Sequence, residues 1–240
     1  MAISLSELEG KIINADCMEV LKQLPDKSID LVLTDPPYEV DSHGGKSTQK
    51  GLGERANNLR DNIRFVSEGF DYEKVLKEIV RVCKKINAYI FCSNAQITKI
   101  MGFFENIGCS TTLLVWHKTN AIPLANGTYH SNVEFIVCAR EKGACFNELD
   151  ISKKSKVIAM PYPTDMRFHP TQKPVELIER LLSIKSKEND LVLDCYSGSG
   201  TTAIACHRLK RRFICIEKDK TYYEKSLARL QAEQAQLQLF

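Results

Sequence analysis

Two hydrophobic periods alternate along this chain: short runs that are apolar at nearly every position, and longer stretches that are apolar on one helical face. Seven runs predict strands: Lys11–Asn14, Ile29–Thr34, Ala88–Ser93, Thr111–Trp116, Val133–Cys138, Asp190–Cys195 and Arg212–Glu217. Several are apolar on successive residues, the pattern of strands covered on both faces. Between them, Tyr72–Lys85 gathers Val75, Leu76, Ile79, Val80 and Val82 on a broad apolar face. Pro174–Ser186 opens with proline at an expected first helical position and carries Val175, Leu177, Ile178, Leu181 and Leu182. Thr201–Lys210 and Tyr222–Gln236 predict two further helices. Strands alternating with helices imply an α/β fold with a largely parallel sheet.

Two stretches interrupt the alternation. Glu39–Arg64 is rich in Gly, Ser, Asn and mixed charge and has no usable periodicity, as expected of a functional lid or a disordered loop. Glu141–Lys173 contains Pro161, Pro163, Pro170 and the lysine cluster Lys153, Lys154 and Lys156. No internal repeat or linker separates the chain into parts. Residues 1–240 are therefore expected to form a single domain, with a mobile loop at 39–64 and a short insert at 141–170.

Composition narrows the class without naming a function. The chain is 43% hydrophobic and 26% charged over 240 residues, which predicts a soluble globular protein with one large core. Its longest apolar runs are too short to span a bilayer, and no basic segment followed by an apolar one opens the chain, so a cytoplasmic location is expected. There are nine cysteines, an odd number, and Cys92, Cys138, Cys195 and Cys215 lie inside strand-like runs. No CxxC pair points to zinc, so reduced thiols are expected and no metal site is assigned. A net charge of +3 permits nucleic-acid binding without requiring it.

The chemistry is carried by two motifs. Asp190-Leu-Val-Leu-Asp-Cys-Tyr-Ser-Gly-Ser-Gly-Thr joins a buried strand to a helix through Gly198 and Gly200, which let the backbone turn tightly and approach a ligand. Glu217 ends the next strand, near the spacing at which an acid meets ribose hydroxyls in nucleotide-binding βαβ units. No lysine follows as in a P-loop, and the third glycine of a dinucleotide fingerprint is missing. A nucleoside without a pyrophosphate, such as S-adenosylmethionine, fits better. The second motif, Asp35-Pro36-Pro37-Tyr38, follows the strand ending at Thr34. Two prolines make a stiff turn with outward carbonyls. An amine about to accept a methyl group needs acceptors for its protons, which the Asp35 carboxylate and the Pro36 carbonyl supply. Tyr38 offers a face on which an extruded base stacks.

With these residues in place, the chain resembles the β group of amino-methylating DNA methyltransferases, in which the DPPY motif precedes the glycine-rich cofactor motif. Asn14-Ala-Asp16-Cys-Met resembles the family's acidic segment facing the cofactor adenine, and His169-Pro-Thr-Gln-Lys-Pro174 matches its HPTQKP box. Tyr196 stands where the family usually has Phe. The stretch between Cys138 and His169 is shorter than the recognition region of larger relatives, so the resemblance leaves open whether target recognition lies there or in Glu39–Arg64. The resemblance implies a circularly permuted, seven-stranded, mostly parallel Rossmann-like methyltransferase sheet. Its strand order would run from Lys11 through Arg212, Asp190, Ile29, Ala88 and Val133 to Thr111, with the Val133 strand antiparallel. It implies catalysis by Asp35, Pro36, Pro37 and Tyr38. It places the cofactor against Asp16, Asp35, Asp194, Tyr196, Gly198, Ser199, Gly200, Thr201 and Glu217, with Thr171 and Lys173 toward the methionine carboxylate. His169 is expected to be structural or cofactor-side. The implied partner is double-stranded DNA, with a homodimer and a cognate restriction endonuclease left open.

Adenine N6 is the expected target, because relatives that methylate cytosine N4 more often begin the tetrapeptide with Ser. Amino methyltransferases of RNA or of protein glutamine usually place the glycine-rich motif first. A DNA-binding subunit without activity would not be expected to keep Asp35, Tyr38, Gly198, Gly200 and Glu217 intact. None of the nine cysteines follows a proline, which argues against the cysteine chemistry of carbon methylation.

Overall fold

The computed structural model describes residues 5–37, 71–121, 129–164 and 168–237. One sheet forms the centre. Its strands are β1 (Lys11–Asn14), β2 (Leu31–Thr34), β3 (Asn87–Cys92), β4 (Ser110–Lys118), β5 (Val133–Arg140), β6 (Val157–Met160), β7 (Leu191–Asp194) and β8 (Arg212–Glu217). They lie in the order β1-β8-β7-β2-β3-β5-β4-β6. All pairings are parallel except those of β5 with β3 and β4. The seven expected strands occupy the expected order, and β6 adds an eighth beside β4.

That eighth strand comes from the stretch expected as an insert. Residues before it are tied to the helix Val175–Lys185 (α5): Asn147 Nδ2 donates to the Ser183 and Ser186 carbonyls at 2.8 Å each. Arg180 reaches the Ser152 and Lys153 carbonyls at 2.8 and 3.0 Å. Part of the 141–170 stretch therefore belongs to the sheet and its cover. The 39–64 loop and Tyr38 lie outside the described residues.

Helices cover both faces because the central strands are apolar on both. On one side, Val32, Ala88, Ile90, Leu191, Leu193, Ile214 and Ile216 meet Leu21 of α2 (Cys17–Leu21), Val75 and Ile79 of α3 (Tyr72–Val82), and Ile100 and Phe104 of α4 (Ile97–Asn106). On the other, Leu31, Leu33, Tyr89, Phe91, Val192 and Phe213 meet Leu177, Ile178 and Leu181 of α5, Ala203 and Ile204 of α6 (Thr201–Arg208), and Leu230 of α7 (Lys220–Leu237). A short helix, α1 (Leu5–Leu8), precedes β1. Each fully buried Leu or Ile contributes roughly 1.5–3 kcal/mol. Pro174 is the residue before α5 rather than its first turn; its ψ of 140° is extended, and the helix begins at Val175.

No helix among the described residues is long and apolar enough to cross a membrane. What matters for chemistry is the centre of the sheet. β2 and β7 are neighbours there, while the chain proceeds from β2 to β3 on one side and from β7 to β8 on the other. Thr34 and Asp194 thus come together at the carboxyl edge, the position where open α/β sheets form their crevice.

Candidate active site

Asp194 organises the glycine-rich turn. Its carboxylate accepts from Thr34 Oγ1 at 3.0 Å, from the Tyr196 amide at 3.1 Å and from Thr202 Oγ1 at 2.6 Å. Burial raises its pKa to about 6, against the lowering effect of these donors. Thr34 Oγ1 also accepts from the Cys195 amide at 3.1 Å, which locks β2 to β7 where both strands end. Asp194 therefore shapes the turn from within.

The turn needs its glycines. Gly198 and Gly200 have φ of +49° and +72°, in the left-handed region where a side chain is strained. A Cβ on Gly198 would stand 3.1 Å from the His169 ring, and one on Gly200 would stand 3.0 Å from Ser226 Cβ. Gly200 immediately precedes α6, so the turn presents a helix N-terminus. Thr201 Oγ1 meets Ser199 Oγ at 3.0 Å and accepts from Arg229 at 3.0 Å.

Glu217 closes the turn from β8. One oxygen accepts from the Gly198 amide at 2.8 Å and the other from the Asp219 amide at 2.7 Å. Burial raises its pKa despite these donors. Asp16 caps α2 through the Met18 amide at 2.9 Å and pairs with Lys218 at 3.0 Å. Tyr196 reaches toward this segment, its hydroxyl accepting from Cys17 Sγ at 3.0 Å. Asp16, Tyr196, Gly198 and Glu217 thus share one region.

Asp35 stands beside it, at the end of β2. Lys173 Nζ lies 2.5 Å from Asp35 Oδ2 and 3.0 Å from Glu134 Oε2, and Lys118 Nζ lies 2.7 Å from Glu134 Oε1. The four side chains alternate in sign and are 6–19% exposed. Burial alone would lower the Lys173 pKa, but Asp35 and Glu134 outweigh it and hold the ammonium above its ordinary range. Glu134 is likewise held below its ordinary value, because Lys173 and Lys118 outweigh its burial. Lys173, which the sequence directs to a cofactor carboxylate, is here the cation of the Asp35 carboxylate. The Pro37 carbonyl accepts from Gln96 Nε2 at 3.2 Å, and Gln96 is held in turn by the Ser93 amide at 2.9 Å.

The HPTQKP box links the two halves. His169 packs 4.3 Å from the Tyr222 ring, and burial, then the charge of Lys173, lower its pKa to about 4. Its Nδ1 lies 3.2 Å from Thr171 Oγ1. The Lys173 carbonyl accepts from Thr201 Oγ1 at 3.3 Å.

The described residues bring all the expected site residues to one edge, apart from Tyr38. Sequence reasoning missed Thr34, Thr202, Gln96, Glu134 and Lys118. Of these, Glu134 carried a signal: a carboxylate inside the apolar run Val133–Cys138 needs a cation when the strand is covered.

With this geometry, relatives are informative. The DNA methylase family covering N6 and N4 methylation matches residues 29–228. This chain belongs to that family. It is 26% identical over 255 residues to the type II methyltransferase M.HinfI of Haemophilus influenzae, spanning 96% of this chain and 70% of that one. It is 29% identical over 241 residues to M2.DpnII of Streptococcus pneumoniae, spanning 92% and 90%. The crystal structure of the M1.HpyAVI–SAM complex superposes with a TM-score of 0.70 at 27% identity, covering 92% of this chain and 98% of that one. The cytosine-N4-specific PvuII DNA methyltransferase, at 17% identity and a TM-score of 0.68, covers 91% of this chain and 85% of that one and shares the fold. Family and fold agree with the expectation of S-adenosylmethionine as cofactor.

Proposed function

We propose that this member of the DNA methylase family transfers a methyl group from S-adenosylmethionine to adenine N6 in duplex DNA, directly and after extrusion of the base. The observation that carries the reading is the Asp-Pro-Pro turn at the end of β2, set beside the glycine turn that Asp194 holds at the end of β7.

The residues present fit the cofactor. The glycine turn offers a helix N-terminus, and Ser197 Oγ is buried with no hydrogen-bond partner among the described residues. Glu217 and Asp16 supply acceptors at the β8 and β1 ends, where ribose and adenine would be held. S-adenosylmethionine brings an electrophilic methyl on a sulfonium. The protein's task is alignment and exclusion of water rather than activation of a nucleophile.

In this reading Asp35 is the principal acceptor for the target amine. Lys173 pairs with its carboxylate, and Gln96 fixes the Pro37 end of the turn so that the Pro36 carbonyl can aim at the same amine. Tyr38 stacks on the base. Recognition of the DNA sequence falls to the 39–64 loop or to the 141–170 stretch, and a homodimer and a partner endonuclease stay compatible with the reading. Long-read sequencing of DNA from cells expressing the chain tests it. Modified adenines within one short motif support it, and modified cytosines would replace it with N4 methylation.

A further inference from the structure

The opposite edge of the sheet holds a second group of reactive side chains. A cleft of about 450 Å³ is lined by Ser110 and Thr112 of β4, Cys138 and Arg140 of β5, and Phe146. Cys138 is partly exposed, whereas Cys17, Cys83, Cys92, Cys109, Cys195, Cys206 and Cys215 are buried. Behind Cys138 lies Lys185, the last residue of α5, with no exposed surface. Its Nζ donates to the Ala139 carbonyl at 2.9 Å, to the Ala88 carbonyl at 3.3 Å and to Cys138 Sγ at 3.2 Å. It also lies 4.7 Å from the centre of the Tyr89 ring.

All three hydrogens of the ammonium have acceptors, but two of those acceptors are neutral carbonyls. Among the described residues no carboxylate pairs with Lys185, and an isolated buried ammonium is costly. The group within reach that can neutralise it is the Cys138 thiol. Burial lowers the Lys185 pKa and the Cys138 sulfur opposes that shift. Among the described residues, Cys145, the other partly exposed thiol, has no amine at hydrogen-bond distance. Its Sγ faces Asn147 Oδ1 at 3.5 Å, and burial raises its pKa.

We infer that Cys138 and Lys185 form a nucleophilic thiol–amine pair, and that the cleft above them is a modification site for small disulfides bearing a carboxylate. The anion preference comes from Arg140, whose guanidinium lies over the Phe146 ring at 5.1 Å on the cleft wall. In the step itself, the Cys138 thiolate attacks one sulfur of the disulfide while its proton stays on Lys185. A new S–S bond forms as the old one breaks. The leaving thiolate carries away the electron pair, so Cys138 is oxidised and the departing sulfur reduced. The cleft lies across the sheet from Asp35, so occupation of one does not require the other.

The test uses the full, reduced chain and the dianionic disulfide 5,5′-dithiobis(2-nitrobenzoate), with peptide mass spectrometry to locate the adduct. Cys138 should react first, about tenfold or more ahead of Cys145, as expected for a thiol beside an amine. Cys138→Ser should remove the fast phase, and Lys185→Met should slow it by about tenfold. Arg140→Gln should slow the dianionic reagent while leaving the neutral reagent dipyridyl disulfide unchanged. Reaction of Cys138 no faster than Cys145 in the parent chain overturns the pair. Equal slowing of both reagents by Arg140→Gln overturns the anion preference. Should Lys185→Met fail to fold, these two comparisons still decide.

Discussion

The Lys173 ammonium sits 2.5 Å from the Asp35 carboxylate, although the two residues lie in motifs 138 residues apart in the chain. Lys173 shares its charge with Glu134, and Glu134 with Lys118. Asp35 thereby has a cationic partner at a half-buried position, where the proposed role as acceptor of the amine protons calls for a carboxylate. Replacing Lys173 with Met leaves two carboxylates facing a buried site without their common cation. Loss of one partner from such a pair costs about 3–5 kcal/mol. Urea denaturation should show a loss of that order for Lys173→Met and a much smaller one for Lys173→Arg. A Met variant as stable as the parent would contradict the arrangement.

Glu217 makes a different kind of prediction, because its carboxylate both holds the Gly198 amide and faces the region proposed for the ribose. Glu217→Ala should weaken S-adenosylmethionine binding at least about tenfold, the equivalent of one lost charge-assisted hydrogen bond. Calorimetry measures this directly. An unaltered dissociation constant would confine Glu217 to its two backbone amides.

At Gly198 and Gly200, φ is positive and space is short. Alanine at either position carries a left-handed strain of about 1–2 kcal/mol. Gly200→Ala should cost more, because its Cβ would meet Ser226 and Ile12, both buried, whereas Gly198→Ala meets only the His169 ring. Pairing Gly198→Ala with His169→Ala should recover the contact part of the loss and leave the backbone part. Thermal unfolding of the three variants checks the order, and equal melting temperatures for all would refute it.

His169 governs one pH effect. Its pKa in the fold, about 4, lies below the ordinary 6.5 because of burial and then Lys173. As pH falls from 6.5, the unfolded chain takes up this proton first, so the stability His169 contributes is complete above 6.5 and is lost as pH falls through 4. The shift corresponds to roughly 3 kcal/mol at most. A proton NMR titration should place the His169 midpoint near 4, and His169→Gln should flatten the fall in stability between pH 6.5 and 4. A midpoint near 6.5 would mean the ring is open to water.

Much of this was readable in the chain itself, and the exceptions have physical causes. The strand order came with the family resemblance that the motifs carry, and β2 and β7 are buried at every position, each apolar up to the Thr34 or Asp194 that ends it, because both faces are covered. β6 was not legible: only four residues long, it sits among prolines and lysines, and pairing with β4 makes it a strand. α4 was missed because Gly102 interrupts a segment only ten residues long. Asp194, Gly198, Gly200 and Glu217 were found through spacing. Glu134, Lys118 and Gln96 were not, since their roles exist only once β3, β4 and β5 bring them to the carboxyl edge. Lys173 was found, with a contact to Asp35 that no local pattern encodes.

The most direct measurement supplies purified protein with S-adenosylmethionine carrying a deuterated methyl group and with unmethylated duplex DNA, then digests the DNA to nucleosides for mass spectrometry. The parent chain should yield deuteromethylated N6-methyldeoxyadenosine, and Asp35→Ala should yield at least about a hundredfold less while calorimetry shows the cofactor still binding. Label in N4-methyldeoxycytidine, or parental yield from Asp35→Ala, would contradict adenine methylation with Asp35 as the acceptor of the target amine.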